Sequence, residues 1–166
     1  MKTIKTKGPR FSLRFAKAED AGFVVSFMKK LGAYQKMADK IIATYDEIQK
    51  LLTDKRGEAV FGIYDGEMGG FTYFCQNSSA FTGQTGLFFD GFLIDDAMRF
   101  NGLGKIMMSF MSKLALERGC QRLEWGCLDW TEPTIKFYKE LGACSVDGMT
   151  IYRFAPDQLK ANAALF

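Results

Sequence analysis

The sequence predicts a mixed α/β fold built as one domain. Two observations carry the prediction. Apolar residues recur at period two in some segments and at period 3.6 in others, in the order β-α-α-β-β-β-α-β-α-β. Consecutive strands joined by short turns call for an antiparallel meander, whereas strand–helix–strand passages call for parallel crossovers, so the expected sheet is mixed and flanked by helices. A third observation sets the scale: 166 residues, 48% apolar and 25% charged, suit one soluble globular core.

Each element has a local signal. "FSLRFA" alternates from Phe11 to Phe15 and reads as a strand. "AEDAGFVVSFMKKLGAY" places Phe23, Phe27 and Leu31 at helical spacing behind Asp20, a plausible cap. "TYDEIQKLLTD" sets Thr44 and Glu47 in capping-box register. "EAVFGIYDGEMGGFTYFCQ" holds two strands around Asp65-Gly66, a strong hairpin signal. "TGLFFDGFLI" is a strand, apolar on both faces except for Asp90 and Gly91. Leu103, Ile106, Met107, Phe110, Met111 and Leu114 make one helical stripe that Gly119 stops. "RLEWGCL" is a strand, and "EPTIKFYKELG" is a helix with Pro133 near its start and Gly142 past its end. "MTIYRF" is expected to close the sheet.

Composition excludes several functions. The net charge of +3 is mild and scattered, unlike the concentrated stripe of a nucleic-acid binder. The cluster Lys2, Lys5, Lys7 and Arg10 reads as a solvated, flexible tail over residues 1–10, leaving 11–166 as the domain. No apolar run is long enough for a membrane span, and the N-terminus carries no apolar block with a cleavage site, so the expected location is the cytoplasm. Cys75, Cys120, Cys127 and Cys144 lack Cys-x-x-Cys spacing and are expected to be reduced and buried. There is no histidine, so no metal site is expected, Ser–His and Cys–His nucleophiles are ruled out, and proton transfer falls to carboxylates, tyrosine, lysine, cysteine or water.

The segment "MRFNGLGKIMM" places glycines and a lysine where a helix begins. Unpaired amides and the positive dipole end at such a terminus suit a phosphate, and glycine lets it approach. A Walker loop is excluded because Arg99 stands at its first glycine and Ile106 follows the lysine. A dinucleotide fingerprint lacks its third glycine, where Met107 stands. What remains is Arg99-Phe100-Asn101-Gly102-Leu103-Gly104, an Arg-x-x-Gly-x-Gly sequence preceded by the strand "DGFLI" and followed downstream by "LDWTEPTIKFYKELGA".

Together these segments resemble the GNAT N-acetyltransferases, most closely the diamine and thialysine branch, from residue 88 to about 143. The resemblance implies a single-domain GNAT fold and an enzyme that moves acetyl from acetyl-CoA to a small primary amine, working as a homodimer. It implies that Arg99, Phe100, Asn101, Gly102, Leu103, Gly104 and Lys105 cradle the coenzyme A pyrophosphate. Phe92, Leu93 and Ile94 would splay from the neighbouring strand at a bulge and offer main-chain groups to pantetheine, a distortion that Gly91 fits. Tyr138 aligns with the acid that protonates the thiolate. Thr131 falls where relatives have a cofactor-contacting asparagine. Tyr34, Gln35 and Asp90 would form the amine site, Asp90 being a carboxylate costly to bury without a role. It would accept the amine proton through water or hold an ammonium. Polyamine enzymes carry acids at the positions of Gln35 and Gly91, and a tryptophan near Met149 or Thr150, so the sequence departs from polyamine recognition. Protein or peptide acetylation, and a non-catalytic acyl-CoA-binding module, stand as alternatives.

Overall fold

The sheet is a six-stranded ladder in sequential order, antiparallel throughout except for its last pair. A computed structural model describes residues 3–146 and 148–166. By internal packing the chain forms two compact units, Met1–Trp130 and Thr131–Phe166. The first holds β1 (Ile4–Lys5), β2 (Phe11–Phe15), α1 (Ala21–Tyr34), α2 (Tyr45–Thr53), β3 (Glu58–Tyr64), β4 (Glu67–Ser79), β5 (Gln84–Ile94), α3 (Leu103–Glu117) and β6 (Arg122–Trp125). The second holds α4 (Glu132–Glu140) and α5 (Pro156–Ala163).

Local chemistry explains most boundaries. Asp65 and Gly66 both have positive φ, 49° and 87°, and Tyr64 pairs with Glu67, so β3 and β4 are joined by a two-residue turn of the kind whose twist matches a hairpin. The Thr44 side chain accepts from the Glu47 amide while the Glu47 carboxylate accepts from the Thr44 amide. At the end of α3 the Cys120 amide reaches the Ala115 carbonyl at 2.8 Å across Gly119, whose φ is 70°. Asp20 is not the expected side-chain cap. Its carboxylate is buried and accepts from the Arg14 guanidinium at 2.6 and 2.9 Å and from the Lys17 amide at 2.8 Å. A buried arginine on β2 outcompetes the helix amides for that carboxylate.

Aromatic side chains fill one side of the sheet. Phe27 of α1 stacks on Phe71 of β4 at 5.2 Å, with Phe61, Val24, Leu31, Ile48 and Leu93 around them. On the opposite face α3 seats Met107 against paired glycines: a Cβ on Gly62 would stand 2.7 Å from its sulfur. The buried stripe of α3 is Leu103, Met107, Met108, Met111, Leu114 and Ala115, rotated slightly so that Ile106 and Phe110 are only half-buried.

The structure corrects three further expectations. The sheet begins inside the segment expected to be a free tail, since Ile4 pairs with Leu13 and Lys5 with Ser12; Lys2 lies outside the described residues. Residues 149–154 form no strand, and the helix α5 that follows had no counterpart in the sequence reading. Alternation gives a segment two faces, but a strand also needs a partner for its ladder. Of the cysteines only Cys120 is buried; Cys75 is half-buried, and Cys127 and Cys144 are exposed.

Candidate active site

The site begins with a miscount between two strands. Tyr73 pairs with Gly91 and Phe74 with Phe89, so Asp90 is an extra residue with no partner on β4. The bulge brings Gly91 onto the α1 face. There a Cβ would meet the Met28 sulfur at 2.9 Å and Leu31 and Phe71 at 3.4 Å, so any side chain here would make the Met28 side chain shift. The bulge also turns Asp90 outward. The expectation of a carboxylate inside an apolar strand is therefore corrected: Asp90 is exposed.

Beyond the bulge β5 loses its second strand neighbour. Its parallel ladder with β6 runs from Gly86↔Arg122 to Phe89↔Trp125 and stops, with Phe89 stacked on Trp125 at 4.8 Å. Residues 90–94 continue with β4 on one side and, among the described residues, no strand on the other. Alternate residues among Phe92, Leu93 and Ile94 thus turn main-chain groups toward that edge, where an extended ligand would pair. One is already engaged, because the Arg99 Nε–H donates to the Ile94 carbonyl at 3.2 Å.

The chain then makes a short turn, with the Asp95 amide donating to the Gly69 carbonyl at 2.8 Å, and enters the glycine loop. Phe100 is fully exposed with φ at 66°, a strained conformation for a bulky residue, and Asn101 beside it is exposed. Gly102 precedes α3 with φ at 79°, and open space lies where its Cβ would be. No side chain caps the helix, and no acid sits in its first turn. The amides of Leu103, Gly104 and Lys105 therefore offer orphan donors at the positive dipole end. That arrangement fits a diphosphate.

Arg99 does not project as a free charge. Its Nη2 contacts Asp96 Oδ1 at 2.8 Å, and its guanidinium carbon lies 4.7 Å from the Tyr34 ring centroid. Gln35 follows Tyr34 at the end of α1, half-buried. Lys36, with φ at 57°, holds its ammonium 5.1 Å from the ring of Trp130. The loop after α1 and the segment after β6 are thereby tied together.

Sequence reasoning overlooked Tyr73. Its phenol is held above the ordinary tyrosine range, chiefly by burial and then by the negative charges of Cys75 and Asp90. It also missed Met28, Lys30 and Lys36. No local signal marks them, since the neighbour of each lies far along the chain.

In the second unit Thr131 precedes α4, is buried, and accepts at its carbonyl from the Thr134 and Ile135 amides, both at 3.0 Å. Tyr138 is the one buried residue of α4, with Phe137 beside it at 5.4 Å. The Ala143 amide donates to the Tyr138 carbonyl at 3.1 Å across Gly142, which ends the helix.

Residues 25–143 match the acetyltransferase (GNAT) family. The chain belongs to that family. It is an N-acetyltransferase, and GNAT enzymes generally take the acyl group from acetyl-CoA. It is 28% identical over 113 residues to an L-ornithine N5-acetyltransferase of Arabidopsis thaliana, covering 68% of this chain but 46% of that protein. The chain therefore spans less than half the length of that relative. It is 24% identical over 145 residues to a thialysine N-epsilon-acetyltransferase of Caenorhabditis elegans, covering 81% of this chain and 90% of that protein. Among solved structures, an integron cassette protein from V. cholerae shares the fold with a TM-score of 0.76 at 20% identity, over 94% of this chain and 99% of that one. No described helix is long and apolar enough to cross a membrane.

Proposed function

We propose that this GNAT enzyme transfers acetyl from acetyl-CoA directly to the primary amine of a small acceptor carrying a neutral or carboxylate tail. The observation that carries the reading is β5, bulged at Asp90 and open along residues 90–94, which runs into an uncapped helix start. Pantetheine pairs with main-chain groups of residues 92–94, while the amides of residues 99–105 and Lys105 hold the pyrophosphate. Thr131 supplies a further donor to the cofactor. The amine nitrogen attacks the thioester carbonyl, polarised by a main-chain N–H of the distorted strand. Asp90 accepts the amine proton through water or holds the arriving ammonium. As the carbon–sulfur bond breaks, Tyr138 gives its phenolic proton to the thiolate. No cysteine is placed as a nucleophile, so no acetyl-enzyme is formed.

The acceptor class follows from charge. Recognition of a polyamine needs several carboxylates to meet several ammonium groups. Here Gln35 is neutral, Gly91 carries no acid and its Cβ position is crowded by Met28, and Lys36 adds a positive charge next to Gln35. An unpaired ammonium in such a site costs several kcal/mol, more than its hydrocarbon spacer gains, which is about 0.8 kcal/mol per methylene. The names of the ornithine and thialysine relatives support an amino-acid acceptor. The enzyme is proposed to act in the cytoplasm as a homodimer. Exposed Met149, Ile151, Tyr152 and Phe154 in the second unit support a covering partner.

The test is kcat/KM across matched amines differing only in their tails. Monoamines and amino acids with a side-chain amine should lead, with spermidine behind them. Spermidine or spermine at the head of the ranking would overturn the acceptor assignment, and faster turnover of peptides than of any small amine would favour protein acetylation.

A further inference from the structure

We infer that Tyr34 is a positioning residue for the acetyl-CoA loop, acting through Arg99, with Lys30 and Asp95 as a second rung of the same staple. The inference rests on the reading that residues 99–105 hold the donor. Lys30 and Tyr34 stand four residues apart on α1 and therefore project from one side of it. Asp95 and Arg99 flank the short turn that leads from β5 into the loop. The Lys30 ammonium lies 2.8 Å from the Asp95 carboxylate, and the Arg99 guanidinium lies 4.7 Å from the centroid of the Tyr34 ring.

The guanidinium is thus held on three sides, by the Ile94 carbonyl at 3.2 Å, the Asp96 carboxylate at 2.8 Å and the aromatic ring. A guanidinium so fixed anchors the first residue of the loop against the end of β5. The loop is then ordered before the donor arrives, and the ordering cost no longer weakens binding. Asp96 is exposed and Lys30 is half-exposed, so their ion pairs with Arg99 and Asp95 contribute little in water. Tyr34 is half-buried, and its ring keeps water from one face of the guanidinium, which makes it the strongest member of the staple. Tyr34 therefore serves the donor, although it ends the helix that leads to the amine side of the site.

The experiment measures acetyl-CoA affinity by calorimetry for the wild type, Tyr34→Leu, Tyr34→Phe, Arg99→Gln and Arg99→Gln combined with Tyr34→Leu. Tyr34→Leu should weaken acetyl-CoA binding by about three- to thirtyfold, the range of one cation–π contact, while Tyr34→Phe keeps it. In the Arg99→Gln background the leucine substitution should cost nothing further, which is the signature of action through Arg99. In steady state Tyr34→Leu should raise KM for acetyl-CoA and keep kcat at saturation. Unchanged acetyl-CoA affinity in a folded Tyr34→Leu variant, with a raised KM for the amine alone, would overturn the inference, as would full additivity with Arg99→Gln. Failure of the wild type itself to bind acetyl-CoA would instead strike the reading beneath it.

Discussion

Asp90 reaches solvent because β5 carries one residue more than β4 at that point, and Gly91 absorbs the distortion under Met28. On the proposed reading a carboxylate so placed serves the arriving amine and contributes little to the fold. Asp90→Asn should therefore lower kcat/KM at neutral pH with little change in melting temperature. The loss should shrink at alkaline pH, where the acceptor is already deprotonated. A pH–rate profile for the two proteins checks this, and equal profiles would make Asp90 structural. Tyr138 allows a matching test. Tyr138→Phe preserves the buried ring and should preserve acetyl-CoA affinity, yet kcat should fall by about 10²–10⁴-fold, the usual loss of a general acid. Unchanged kcat would assign Tyr138 to packing alone.

At the scale of elements, the proposed donor site is α3 and the loop before it. Gly102→Glu adds bulk, negative charge and an unfavourable left-handed conformation where the loop is open. At a hundredfold excess over Kd, acetyl-CoA should raise the wild-type melting temperature by on the order of 5–10 °C, and the variant should fold but show no shift. A second element-scale prediction concerns β2 and the start of α1. The Arg14 guanidinium, and then the Lys17 amide, hold the Asp20 carboxyl below the usual carboxylate range against the opposing effect of burial. A lowered folded-state pKa stabilises the protein above the unfolded value near 4, and that stabilisation is lost as pH falls through the folded value. Asp20→Ala, which leaves Arg14 buried without its partner, should cost about 3–5 kcal/mol near pH 7. The difference from wild type should narrow in acid, as urea titrations at several pH values would show.

Over the whole molecule, what sequence revealed was what neighbouring residues decide among themselves. Asp65 and Gly66 fix their own turn, Thr44 and Glu47 their own cap, and Gly102 its own left-handed entry into α3. The mixed sheet followed from those local signals, and the glycine loop before α3 was visible because glycines and a helix start are contiguous. Elements and roles that depend on distant partners were not legible. Asp20 looked like a cap until Arg14 claimed it, and residues 149–154 looked like a strand without the partner a ladder requires. Gly91 suggested a distortion, but only the register against β4 shows that Asp90 is the inserted residue. The tie between Lys30 and Asp95 joins residues 65 apart in sequence, and no local pattern announces it.

The central claim is acetyl transfer to a small amine, and thiol release from acetyl-CoA with identification of the acetylated product tests it most directly. With a panel of amines, amino acids and peptides, thiol should appear in step with an acetamide on a small primary amine, and no thiol should be released when the amine is omitted. Tight binding of acetyl-CoA with no amine on the panel acetylated would contradict the account, leaving a module that binds the donor without using it.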